Sequence, residues 1–162
     1  MKMQLNSKST ILLTGLLTGT LDGLSAIILN PAIPAANIFK FIASGLFGRA
    51  ALSAGMEMVV YGVLLHYLIS FIFCIVLLRI YPSFIKWFKY NFIIVFVYGL
   101  LIWTIMNLVV LPLSGIGPTA FHFVSVFKNM MALIVAFGLP IVWIASMIYN
   151  RKADVKEHNA ML

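Results

Sequence analysis

The sequence predicts an all-α integral membrane protein: a bundle of four spanning helices with one extra short helix between the first two. Hydrophobic residues make up 63% of the 162 residues and charged residues only 9%, whereas about 25% of an ordinary soluble domain is charged. Four apolar stretches are long enough to cross a hydrocarbon core of about 30 Å as helices. The Lys and Arg residues between these stretches are strongly biased to one side.

The four spans are expected at residues 10–30, 56–80, 92–111 and 129–149 of a single transmembrane domain. Backbone amides in lipid must pair within their own segment, so runs of this length are helices. The first run resembles a signal peptide because Lys2 and Lys8 precede it, but it contains Asp22 and exceeds the usual apolar length of such peptides. We therefore expect it to remain as the first span.

The segment between the first two spans is irregular. Pro31 and Pro34 end the first helix, because proline lacks an amide donor and disfavours helical geometry in the residue before it. Residues 35–48 are apolar but too few to cross a bilayer. We expect them to form an interfacial or re-entrant helix on the outer side.

Charge bias sets the expected orientation, since cytoplasmic loops collect Lys and Arg. With the N-terminus inside, the outer segments hold only Lys40, Arg49 and Lys128. The inner segments hold the other basic residues, which are Lys2, Lys8, Arg79, Lys86, Lys89, Arg151, Lys152 and Lys156. We therefore predict a protein of the cell (plasma or inner) membrane with both termini cytoplasmic and a flexible tail over residues 150–162.

A row of small residues marks one face of the first span. Gly15, Gly19 and Gly23 recur every four residues, so they lie on the same side of a helix. Such rows let a second backbone approach closely, which is how helices associate in lipid. This row and Gly62 of the second span are the predicted helix-packing positions.

Three polar residues lie within different predicted spans. Asp22 and His66 are roughly 12 to 14 Å below the outer edge and Asn107 roughly 6 Å, counting 1.5 Å per residue. They are therefore expected to meet in the outer half of the bundle. Two interpretations stay open: a proton-responsive site in which Asp22 is the charge and His66 titrates, or a hydrogen-bonded contact that fixes helix register.

Two charged residues flank the outer end of the second span. Arg49 and Glu57 are eight residues apart, about two helical turns. They either border an outer vestibule or form a solvated pair at the membrane edge.

The sequence lacks the motifs of the common enzyme classes. It contains no Gly-rich phosphate loop, no nucleophile elbow and no paired His or Cys at metal-ligand spacing. We therefore expect no catalytic residue, no metal and no cofactor. The basic residues are scattered singly, so no nucleic-acid partner is expected either.

The second and third spans carry a recognisable set of short motifs. These are Gly62-x-x-x-His66-Tyr67, Tyr81-Pro82, Gly99-x-x-x-Trp103 and Asn107-x-x-x-x-Pro112. The set resembles uncharacterised small four-helix bacterial membrane proteins grouped as domains of unknown function. The resemblance implies a four-span bundle whose second helix carries Gly and His, and it implies no activity.

Two functional hypotheses follow. The first is an accessory or structural membrane subunit that contacts the lipid bilayer and, through its glycine face, a second copy of itself or another membrane subunit. The second is a minimal oligomeric transporter or channel lined by Asp22, His66 and Asn107. A sealed contact between Asp22 and His66 favours the first hypothesis, and an open wet cavity favours the second.

Overall fold

The computed structural model describes residues 7–115 and 123–160, and every regular element in these two ranges is a helix. Four of the helices are long and apolar enough to cross a membrane, and one apolar helix is shorter. They are α1 (Ser7–Leu29), α2 (Ala35–Phe47), α3 (Glu57–Phe88), α4 (Asn91–Leu113) and α5 (residues 123–160). A 3₁₀ turn, Arg49–Leu52, lies in the connection between α2 and α3.

Helix α3 is the longest uninterrupted α-helix and continues past residue 80, where the second span was expected to end. Its 32 residues correspond to about 48 Å at 1.5 Å per residue. Pro82 lies inside it, although proline removes one backbone hydrogen bond. The helix ends at Lys89, which adopts the left-handed conformation with φ 61° and donates its amide to the Ile85 carbonyl.

Two of the spanning helices contain π-helical turns that the sequence did not predict. Ile105–Val110 interrupts α4, and Leu133–Gly138 lies between Phe123–Ala132 and Leu139–Ala160 of α5. Each π turn ends two residues before a proline, Pro112 or Pro140. The ring of a proline clashes with the carbonyl four residues earlier, and a widened turn relieves that clash while the helix continues.

Large apolar side chains from α3, α4 and α5 form the main core. Its buried members are Cys74, Leu77, Tyr81, Ile94, Tyr98, Ile102, Phe137, Ile141, Val142 and Ala145. The Tyr98 hydroxyl lies inside this core and donates a hydrogen bond to the Phe73 carbonyl of α3 at 2.5 Å. The core therefore lies beside the half of α3 that leads to the short connection with α4.

Helix α1 packs against α3 and α5, and α2 packs mainly against α3. The α2 side chains Ala43 and Ser44 are buried, and the Gly115 amide after α4 donates to the Gly45 carbonyl at 3.0 Å. The short apolar helix is therefore held on α3 and at the end of α4. Helix α5 continues to Ala160, so residues 150–160 have helical backbone.

Candidate functional site

The glycine row of α1 lies directly against α3. A side chain on Gly15 would overlap the Phe71 ring, and a Cβ on Gly19 would be 3.0 Å from the Ser70 hydroxyl. The same addition to Gly23 would be 3.3 Å from Nε2 of His66. The three glycines are buried, so α3 covers this face within the chain.

Gly62 allows the closest approach between two helices in this region. A Cβ at this position would overlap sterically with the backbone carbonyl oxygen of Phe39 in α2. Because that neighbour is backbone, it cannot rotate away as a side chain can. Gly62 therefore fixes the short apolar helix against α3.

His66 lies one turn after Gly62 and contacts both α1 and α2. Its Nε2–H donates to the Gly19 carbonyl at 2.7 Å. Its ring meets Phe39 edge to face, with 6.1 Å between the centroids. The carbonyl is accessible because Gly23, one turn further along α1, has no side chain to cover it. The histidine is therefore a junction residue for three helices.

Asp22 is half-buried on α1, close enough to His66 for the two to interact electrostatically. Its backbone carbonyl accepts a hydrogen bond from the Ser25 hydroxyl at 2.7 Å. Among residues 7–115 and 123–160, no hydrogen bond to its carboxylate is found. The structure thus brings Asp22 and His66 into one region without a direct ion pair between them.

The threonines beside the glycine row are satisfied by their own helix. Thr14 and Thr18 are buried, and the Thr18 hydroxyl donates to the Thr14 carbonyl at 2.9 Å. Two exposed hydroxyls, those of Thr20 and Tyr67, join α1 to α3 at 2.8 Å. The polar groups at this interface therefore serve helix packing.

Asn107 makes its described contact within its own helix. It lies in the π turn of α4, and its side-chain amide donates to the Trp103 carbonyl of the same helix at 2.9 Å. Helices α1 and α4 do not form one of the main interfaces in the described part of the chain. A depth estimate from the sequence counts only rise along the helix axis, whereas rotation about that axis decides which neighbour a residue faces.

Arg49 and Glu57 lie at the two ends of the connection between α2 and α3, and both side chains are exposed. Glu57 accepts a hydrogen bond from the Gly55 amide at 2.8 Å. A carboxylate there also suits the positive end of the α3 dipole. The Glu57 carboxylate is therefore used to start a helix.

Some interface contacts could not be assigned from the sequence, although Gly99 stands out there in the Gly99-x-x-x-Trp103 motif. A Cβ on Gly99 would be 2.6 Å from Ile134, and one on Gly138 would be 3.1 Å from the Val95 carbonyl. These two glycines bring α4 and α5 together at the π turn of α5. Lys40, assigned only as an outer charge, donates its ammonium to the Ala54 carbonyl.

Two apolar grooves lie outside the Asp22–His66 region. The α2–α4 groove, about 240 Å³, is bordered by α2, α3 and the end of α4. The α1–α5 groove, about 230 Å³, runs between the beginning of α1 and the end of α5. Neither is lined by Asp22 or His66.

No protein-family model, no curated protein and no solved structure matches this chain. The function must therefore be inferred from the side chains of the site. The site offers one imidazole committed to a backbone carbonyl and one nearby carboxylate. That pair is suited to holding helices together, and it supplies no activated nucleophile.

Proposed function

We propose that the protein is a four-helix bundle in the cell membrane, with both termini cytoplasmic, and that it serves as an accessory or structural membrane subunit. The four long helices are compatible with a multi-pass membrane protein. Many of their large apolar side chains point outward, including Leu12, Leu64 and Leu108, which are 54%, 60% and 63% exposed. Such faces suit lipid, and the charge bias of the connections supports the orientation.

The hydrogen bond between His66 and the Gly19 carbonyl is the main observation that supports a structural role. It commits the Nε2–H of the His66 imidazole to a backbone carbonyl inside a close helix interface. Polar side chains that bond across helices in lipid contribute about 0.6 to 2 kcal/mol each to association. A residue used in this way keeps two helices in register without any transported species.

Because α3 covers the glycine row of α1, a partner subunit or a second copy must contact another face. The outward leucines of α1 are available for such a contact. The accessory role is therefore the same as in the first hypothesis from the sequence, but the proposed contact surface is no longer the glycine face.

The orientation is tested by cysteine labelling in intact cells. Cys74→Ser supplies a background without the native thiol, and single cysteines replace Lys40, Lys128 or Lys89. We expect a membrane-impermeant maleimide to label the first two positions from outside and to reach position 89 only after permeabilisation. Labelling of position 89 from outside would mean that the protein has the opposite orientation.

The structural role is tested by flux and stability together. Wild type, Asp22→Asn and His66→Phe are reconstituted in proteoliposomes with a pH gradient, and thermal unfolding is measured on the same preparations. We expect no proton flux in any of them and a lower unfolding temperature for His66→Phe. A wild-type flux abolished by Asp22→Asn would overturn the structural role.

That last outcome corresponds to the second candidate, a minimal oligomeric transporter or channel. The observation that favours it is the Asp22 carboxylate. This ionisable group lies within a predicted span and interacts electrostatically with His66. Such groups usually face a partner or a water-filled cavity. Asn107 is bonded within its own helix, so this candidate rests on Asp22 and His66 alone.

A further inference from the structure

The α1–α5 groove has an apolar body and a cationic end. It extends from Thr10 to Leu17 on α1 and from Trp143 to Arg151 on α5. Seven residues of helix correspond to about 10 Å, and one leaflet of hydrocarbon is about 15 Å deep. The groove therefore follows the helix axes through most of the depth of one leaflet.

The charge at its end is not neutralised by the part of the chain that the structure describes. Arg151 lines the groove and is exposed, and no ion pair is found for its guanidinium among the side chains that the structure describes. Exposed Lys8 lies two residues before Thr10, and exposed Asp154 lies three residues after Arg151. In the sequence, the basic residues of the two ends, Lys2, Lys8, Arg151, Lys152 and Lys156, outnumber the acidic ones, Asp154 and Glu157.

We propose that this groove binds an anionic phospholipid of the inner leaflet, with the phosphate on Arg151 and one acyl chain between α1 and α5. The proposal rests on the membrane location and orientation of the proposed function. Basic recesses between spanning helices on the cytoplasmic side are suited to anionic headgroups. A guanidinium pairs well with phosphate because two of its N–H groups donate to two oxygens.

The chemistry of the lining favours a lipid over a helix of another subunit. The walls are mostly apolar, and the one charged residue that lines the groove is Arg151, at one end. That arrangement matches a molecule with one anionic end and one apolar chain.

The test is native mass spectrometry of the full chain from nanodiscs made of equal parts phosphatidylglycerol and phosphatidylcholine. Three variants are compared with wild type. Arg151→Gln removes the cation, Leu17→Trp fills the groove, and Lys128→Gln removes one exposed charge from the other end of α5. We expect wild type to retain phosphatidylglycerol in preference, and the first two variants to bind it about fivefold more weakly. The Lys128→Gln variant should bind like wild type.

Each other outcome overturns the proposal in a different way. Equal retention of the two lipids by wild type would mean no anionic site. Loss in Arg151→Gln with full retention in Leu17→Trp would mean surface attraction without a groove. Equal loss of phosphatidylglycerol in Lys128→Gln would mean that the lipid is attracted by the overall positive charge and not by the groove. A lipid-free dimer that Leu17→Trp breaks would mean that a second copy fills the groove. The retention of lipid does not depend on the orientation of the protein in the membrane. Labelling of position 89 from outside would therefore overturn the orientation without deciding whether the groove binds phosphatidylglycerol.

Discussion

Helix α3 takes part in two interfaces that are built in opposite ways. Its first half meets α1 and α2 through Gly62, His66 and Ser70, whereas its second half meets α4 and α5 through large side chains such as Leu77 and Tyr81. We call these the glycine interface and the apolar core. One is held by backbone proximity and hydrogen bonds, and the other by the filling of volume.

The difference follows from the solvent proposed for this protein. Lipid tails are as apolar as leucine, so burial of apolar area does not by itself draw helices together. Two solutions remain: close backbone approach at small residues, or interlocking of large side chains at high packing density. Using both on one helix makes the effect of a substitution depend on which half of α3 it falls in.

The largest effect is expected in the apolar core. Leu77 is fully buried, and Leu77→Ala should lower the free energy of unfolding by about 2 to 5 kcal/mol because a cavity remains. Thermal unfolding in nanodiscs measures it. The control is Leu68→Ala, on the same helix but 54% exposed, which should change little. Equal losses for the two would mean that the core is not packed as described.

A smaller loss is expected at the closest point of the glycine interface. Gly62→Ala places a methyl group in steric overlap with the Phe39 carbonyl, so α2 must shift, at about 1 to 3 kcal/mol for overpacking. Gly45→Ala is the control, since among the described residues its new methyl would have only the Ser114 Cβ within 4 Å, at 3.8 Å. An unchanged unfolding temperature for Gly62→Ala would contradict the close docking of α2 on α3.

The two substitutions also separate what the sequence could predict from what it could not. Spans, and the every-fourth-residue row from Gly15 to Gly23, follow from hydropathy and spacing. The docking of α2 on Gly62 does not, because it depends on where a helix too short to span folds back. The π turns before Pro112 and Pro140 rotate the residues around them, which is why Asn107 could not be oriented from helical spacing.

Trp103 illustrates the same limit. Its indole N–H has no hydrogen-bond partner in the described residues, although the nitrogen itself is buried. Trp103 is four residues from both Gly99 and Asn107, which is the spacing of one helix face, and Gly99 does meet α5. Spacing alone gives no sign that the indole lacks an acceptor, since that depends on the groups facing it from other helices.

The hydrogen bond of the glycine interface is expected to have a modest effect. His66→Phe keeps a ring against Phe39 but removes the donor to the Gly19 carbonyl, for about 0.6 to 1.7 kcal/mol. A double-mutant cycle with Gly23→Ala tests this contact, because the added methyl would lie 3.3 Å from Nε2 of His66. Strict additivity of the two losses would mean that the imidazole does not lie against α1 as described, since residues in contact are non-additive.

The smallest effect is a gain at the end of α3, beyond the apolar core. Lys89 adopts a left-handed conformation at φ 61°, which costs an ordinary residue about 1 kcal/mol or more and costs glycine almost nothing. Lys89→Gly should therefore raise the free energy of unfolding by about 0.5 to 1 kcal/mol, less the entropy that glycine adds to the unfolded chain. Lys86→Gly removes the same charge from the last turn of the helix, where glycine costs about 1 kcal/mol. Opposite signs for the two variants would separate the conformation of Lys89 from its charge, and a loss in both would mean that the lysine side chain itself stabilises this end of the core.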